Sequence, residues 1–274
     1  TTILSGSGPI AGLMEDRRIK AVTLTGSEPA GRAVAAQAGA NIKPAVMELG
    51  GSDAYIVMPS ADLDTATTTA VNARISNNGQ SCIAGKRFVV HQDVYDAFVE
   101  LFVSKMSALV VGDPLNPETQ VGPLATERGR QEIADLVDDA RSHGAQILTG
   151  GSAPDMPGWF YQPTIVAGLK PGMRLVMEEA FGPVASVYKV SSRDEAAAIA
   201  NQTTFGLSSA LWTEDDDDTE FFIKNIEAGA VFINGMTISY PELPFGGVKD
   251  SGFGRELGAP GIREFCNFKT VWKA

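Results

Sequence analysis

Short strand-like runs alternate with amphipathic helical runs along almost all of this 274-residue chain, and that alternation most limits how it can fold. Strands separated by helical stretches need crossover connections, so the pattern argues for parallel sheets with helices packed on their faces. The order opens with a strand over 21–25 and a helix over 27–38 with Ser27 at its N-cap. Strand-like runs follow at 44–48 and 53–58, then a helix over 62–75 opened by Asp62, a strand over 88–91 and a helix over 95–109. Further on, helices are expected over 127–143, 192–200 and 217–226, and strands over 145–148, 185–190, 208–212 and 230–233. Gly- and Pro-rich turns punctuate the chain at 112–117, 153–158 and 244–254, with no internal repeat or low-complexity linker. The expected class is α/β. Residues 1–4 read as the end of a strand with no cap before it, so the sequence is expected to begin inside a domain.

Charge and cysteine usage narrow the functions. Lys and Arg total 22 against 33 Asp and Glu, a net charge of −11, which argues against nucleic acid or an anionic membrane as partner. No apolar run is long enough to span a bilayer, and the first residues lack the pattern of a secretory signal. The only cysteines, Cys82 and Cys266, lie far apart and form no disulfide framework, which fits a reducing cytoplasm. His91 and His143 are the only histidines, and neither joins a cluster with metal-ligand spacing, so no metal is expected.

Cys82 follows the polar, turn-forming run Asn77-Asn78-Gly79-Gln80-Ser81 and precedes the small residues Ala84 and Gly85. A thiol in such a loop can meet backbone N–H groups that lower its pKa and hold an oxyanion; the segment fits an inert buried cysteine as well. Glu48 ends an apolar strand and is followed by Gly50-Gly51, which places a carboxylate at a sheet edge where it can act as a base or simply cap a turn. In Thr25-Gly26-Ser27-Glu28-Pro29-Ala30-Gly31 a strand gives way to a helix start through a glycine and a hydroxyl, a place where backbone N–H groups can bind phosphate. Arg32 and Ala33 stand where a Walker A loop needs Lys and Ser or Thr. The runs 178–183 and 244–249 could each be plain turns, and the acidic run 214–218 reads as a solvated helix start.

Taken in order, the TGS loop, MELGG, NNGQSC, EEAFGP and PFGGVKDSGFGREL resemble the aldehyde dehydrogenase superfamily, with a likeness that runs the length of the chain. The resemblance implies the end of a Rossmann-type cofactor domain over 1–50, a complete parallel-sheet catalytic domain over 51–243, and a return segment with an oligomerisation strand over 244–274. It implies oxidation of an aldehyde with NAD or NADP, with Cys82 as nucleophile and Glu48 as general base. Gly26 and Ser27 would face the cofactor pyrophosphate, Leu49 would flank the nicotinamide, and Glu179 with Phe181 would hold its ribose. Ser81, Ser239 and Phe245 would meet the substrate. The run NGQSCIAGKRF and residues 238–243 look like succinate-semialdehyde dehydrogenases, although Ser76 stands where some of these carry an Arg, and nearby Arg74 is not an assumed replacement. Family chains extend further at the N-terminus, so an oxyanion-hole Asn and the Lys that grips the adenosine ribose are expected outside this sequence. The 274 residues alone are therefore expected to be poorly active, and the parent a homodimer or homotetramer acting on a small-molecule aldehyde. A Cys–His hydrolase lacks a histidine in any motif. A non-catalytic module is an alternative for these 274 residues by themselves, but for the parent it leaves Cys82 and Glu48 unexplained. Another aliphatic or aromatic aldehyde is the alternative substrate, and Glu48 favours water over coenzyme A as acyl acceptor.

Overall fold

A computed structural model describes residues 8–274, and the strand end expected at 1–4 lies outside these described residues. The chain divides into two compact units: residues 51–238, and the remainder, in which the described residues up to Gly50 join residues 239–274. The fold class is α/β.

In the larger unit a seven-stranded sheet runs in the order 230–233, 208–212, 53–57, 85–91, 184–190, 164–167 and 146–149. Neighbouring strands are parallel except the last pair, where Gln146–Thr149 runs antiparallel to Thr164–Ala167. The expectation of a wholly parallel sheet is corrected there. A parallel return needs a crossover, usually helical, whereas residues 150–163 form none and can only turn the chain back. The strand at 164–167 has no expected counterpart; it is only four residues long and follows a stretch, 150–163, without helix or strand.

Alternation decides the two faces of this sheet. Tyr55, Val57, Phe88 and Val90 enter one core with Ala70 of the helix Leu63–Ile75 and with Phe98 and Phe102 of the helix Gln92–Ser107. Ala54, Ile56, Val89 and Leu211 enter the opposite core with Ala196 of Arg193–Asn201 and Phe222 of Asp216–Asn225. The helix Glu127–Ser142 forms a third core with Val166 and Val184. Asp62 caps its helix through Asp64 and Thr65, Thr126 through Gly129, and Asp215 through Asp217 and Asp218. The acidic run is thus a helix start, as the sequence suggested.

In the smaller unit Val22–Thr25 lies parallel to Ala45–Glu48, joined by the helix Glu28–Ala40, and Gly252–Phe253 adds antiparallel to Ala45–Glu48. Gly252 (φ +120°) cannot be replaced, since a Cβ there would lie 1.9 Å from the Met47 carbonyl oxygen. Residues 265–272, at the end of the segment 244–274 expected to hold an oligomerisation strand, take no strand conformation. A strand exists only with a hydrogen-bonding neighbour, and Phe268, Val271 and Trp272 are exposed. Among the described residues no helix is long and apolar enough to cross a membrane.

Phe102 is fully buried, with its ring 4.7 Å from Phe88 and 5.4 Å from Phe98. Phe102→Ala is expected to destabilise the larger unit by about 3–5 kcal/mol in urea unfolding, a cavity cost that a surface aromatic would not incur.

Candidate active site

The loop that carries Cys82 is shaped by its sequence. After the helix Leu63–Ile75, Asn77 (φ 50°, ψ 44°), Asn78 (φ 56°, ψ 29°) and Gly79 (φ 76°) adopt left-handed conformations in succession. Asparagine and glycine are the residues that tolerate that region best. A Cβ on Gly79 would stand 2.3 Å from the Gly182 carbonyl oxygen. Asn78 locks the reversal by accepting the Gly122 N–H (2.8 Å) and donating to the Pro123 carbonyl (3.2 Å), while Gln80 accepts the Ala125 N–H (2.9 Å). The Ala84 N–H closes a turn on the Ser81 carbonyl, and the strand Gly85–His91 begins directly after it. Cys82 therefore stands half-buried in a turn at the amino end of its sheet.

Charges gather beneath this turn. The Lys86 ammonium donates to the carbonyls of Ser81 and Cys82, each at 2.8 Å, and lies 3.1 Å from Glu179 Oε1. That oxygen also accepts the Gly51 N–H at 3.2 Å. Gly51 packs so closely that a Cβ would lie 2.4 Å from the Cys82 carbonyl oxygen. Asp53 accepts the Ser208 N–H (3.1 Å) on one oxygen, and the other has no partner among the described residues. Burial pushes its carboxyl up to about 7 against the pull of Lys86, the Ser208 N–H and Arg87. Burial likewise pushes the Cys82 thiol up; Lys86 pulls it down, Asp53 and Glu179 raise it further, and the Ile83 N–H favours the thiolate. Lys86 itself is pushed down by burial, with Arg74 adding to the effect and Glu179 and Asp53 opposing it. Arg74 is wholly buried and donates to the carbonyls of Gly79 (2.7 Å) and Val184 (3.2 Å), so it braces the loop.

In the smaller unit Glu48 ends its strand with only 3% of its surface exposed, and neither carboxylate oxygen has a hydrogen-bond partner among the described residues. Burial, and then the nearby Glu256 carboxylate, push it up to about 7, with Arg255 pulling the other way. Gly246 passes so near that a Cβ would meet Glu48 Oε1 at 2.9 Å. Gly26 donates its N–H to the Glu48 carbonyl (2.9 Å), and Gly26 and Ser27 are exposed at the start of the helix Glu28–Ala40. Ser27 holds the N-cap position, but its side chain makes no cap bond, which leaves that helix start open to an acceptor from outside. Leu49 packs where a Cβ of Gly31 would be, 2.5 Å from its Cδ2, and both line a cavity of about 290 Å³ with Met47 and Phe253. The ion pair of Arg32 with Asp250 (2.9 Å) stands among its lining residues.

The structure thus brings together Cys82, Ser81 and Glu179 in the larger unit, and Glu48, Leu49 and Gly26 in the smaller one. Phe181 is exposed on the larger unit; on the smaller, Ser239 is exposed and Phe245 half-buried, bonded through its backbone to Glu256. Lys86, Gly51 and Asp53 belong to the site's surroundings without having been singled out in the sequence. The available signal was the pair Lys86-Arg87 opening a strand whose following residues are apolar, since two buried cations need specific acceptors.

The sequence model of the aldehyde dehydrogenase family matches residues 2–271, and the chain belongs to that family. It is 62% identical over 273 residues to a protein of Mycobacterium tuberculosis named succinate-semialdehyde dehydrogenase [NADP(+)] 1, covering 100% of this chain and 60% of that protein. The solved structure of succinic semialdehyde dehydrogenase from Streptococcus pyogenes in complex with NADP+ matches 98% of this chain and 59% of its own, with a TM-score of 0.95 and 39% identity. That of succinate-semialdehyde dehydrogenase from Burkholderia pseudomallei matches 96% and 55%, with a TM-score of 0.93 and 35% identity. The chain spans about 60% of the length of the curated relatives it matches.

Gly51→Ala forces its new methyl against the Cys82 peptide. Thiol titration in a Cys266→Ser background is expected to show Cys82 reacting slower by on the order of a hundredfold, the cost of a small misplacement at a reacting group.

Proposed function

We propose that the protein carrying this chain oxidises succinate semialdehyde to succinate with NADP+. The likeness that carries this reading is the 62% identity, along 273 residues, to an enzyme named for that reaction. Cys82 Sγ bonds to the aldehyde carbon, and its proton passes to Glu48 or to water, which gives a thiohemiacetal whose oxyanion the Cys82 N–H helps to hold. NADP+ supplies the hydride acceptor, and the loss of hydride leaves a thioester on Cys82. Glu48, having released any thiol proton to solvent, then takes a proton from water as that water attacks the thioester, and the Cys82 thiolate leaves. A carboxyl lifted to about 7 by burial suits this work, because it is ionised enough to accept a proton and basic enough to hold it.

The residues present fit the cofactor. Gly26 and Ser27, at an open helix start, are placed for its pyrophosphate, and Leu49 beside the 290 Å³ cavity for its nicotinamide. Glu179 and Phe181 are assigned to the ribose, and Ser81, Ser239 and Phe245 to the substrate. Residues 1–50 are taken as part of the cofactor domain, 51–243 as the catalytic domain, and 244–274 as a return segment ending in a strand for a partner subunit. The exposed Phe268, Val271 and Trp272 support a homodimer or homotetramer, and two free cysteines suit a cytoplasmic setting.

The whole protein is expected to reduce NADP+ with succinate semialdehyde in preference to other aliphatic or aromatic aldehydes. Cys82→Ala should lower turnover by on the order of 10⁴ or more, as removal of a nucleophile does. Because Glu48 works ionised, the rate should rise with pH through about 7 and fall away below it. A rate that is flat across this range, or turnover that survives in Cys82→Ala, would contradict the assignment.

A further inference from the structure

No chemistry read from the sequence uses Lys86, yet its side chain is 2% exposed and its ammonium stands within bonding range of the nucleophile's own peptide. An ammonium has three protons to donate. Here three acceptors meet it: the Ser81 carbonyl, the Cys82 carbonyl and Glu179 Oε1. The last of these also takes the Gly51 N–H, and Gly51 in turn packs on the Cys82 carbonyl oxygen, so the cluster closes on itself. A lysine that served the fold alone would have no reason to divide its bonds between the peptide bearing a thiol and the carboxylate assigned to the cofactor ribose.

We propose that Lys86 is a positioning residue, whose single ammonium fixes the Cys82 peptide and the Glu179 carboxylate relative to each other. The roles given to Cys82 and Glu179 rest on the aldehyde oxidation proposed above; the clamp itself rests on geometry. With the Ser81 and Cys82 carbonyls drawn towards Lys86, the turn that presents the thiol and the Cys82 N–H keeps one orientation. Of the side chains that act on the thiol, Lys86 alone favours the thiolate, since Asp53 and Glu179 oppose it. Arg74, buried nearby, acts on Lys86 and braces the other end of the loop.

The test uses the whole protein and follows alkylation of Cys82 by iodoacetamide across pH, read by peptide mass spectrometry because the exposed Cys266 also reacts. Lys86→Met is expected to slow Cys82 alkylation by about tenfold or more near neutral pH and to move its profile to higher pH, as loss of a neighbouring cation does. Lys86→Arg keeps the charge but not the three-way geometry and should fall between. In turnover, Lys86→Met should lower kcat and raise KM for NADP+, because Glu179 loses its anchor. A Lys86→Met protein that alkylates with the wild-type rate and profile overturns the proposal. Where Lys86→Met does not accumulate folded, Lys86→Arg decides: slowed alkylation at a wild-type melting temperature supports the clamp, and an unchanged rate overturns it. Failure of the aldehyde reading would show separately, as a wild-type protein without turnover whose Cys82 alkylation still depends on Lys86.

Discussion

Taking an ammonium out of water costs several kcal/mol unless acceptors replace the solvent, and Lys86 is buried nearly completely. Everything around Cys82 is arranged so that those acceptors exist. Two are peptide carbonyls of the Cys82 turn and one is the Glu179 carboxylate, so the solvation of this one group is tied to the backbone at Ser81 and Cys82. The turn in turn requires the left-handed Asn77, Asn78 and Gly79, and it requires that position 51 carry no side chain. Asp53 has one oxygen unpartnered among the described residues, and burial raises its carboxyl to about 7.

The smaller unit solves a different problem with the same means. Glu48 is buried at the end of a strand, with no partner for its oxygens among the described residues, and burial together with the nearby Glu256 carboxylate lifts its carboxyl to about 7. Glycines again set the clearances, at Gly246 beside the carboxylate and at Gly31 where Leu49 packs. The Glu48 carboxyl and the Cys82 thiol are both groups whose ionisation is shifted chiefly by burial. Such groups are found where burial is used to tune acid–base behaviour rather than to gain stability.

Much of the fold was legible because the larger unit obeys simple periodicities. The apolar run at 53–58 gives a strand, and Asp62 and the acidic run 214–218 announce helix starts. The antiparallel edge was not legible, since Thr164–Ala167 is only four residues long and the turn before it spans an irregular stretch. Glu48 stood out because it ends an apolar run before a double glycine, and Cys82 because it follows a polar, turn-forming run. Lys86 and Gly51 did not, because what matters about them is a distance to a carbonyl oxygen, and local spacing carries no such information. Arg74 was ambiguous for a related reason: only its bonds to the Gly79 and Val184 carbonyls show that it serves the loop.

The central claim is that Cys82 carries the acyl group and Glu48 activates the water that releases it. The most direct measurement is rapid mixing of the whole Glu48→Gln protein with NADP+ and succinate semialdehyde, followed by mass spectrometry of the Cys82 peptide. The account predicts a stoichiometric burst of NADPH, little turnover afterwards, and an acyl group trapped on Cys82. A variant that turns over at the wild-type rate, or that shows a burst with no adduct on Cys82, would contradict it.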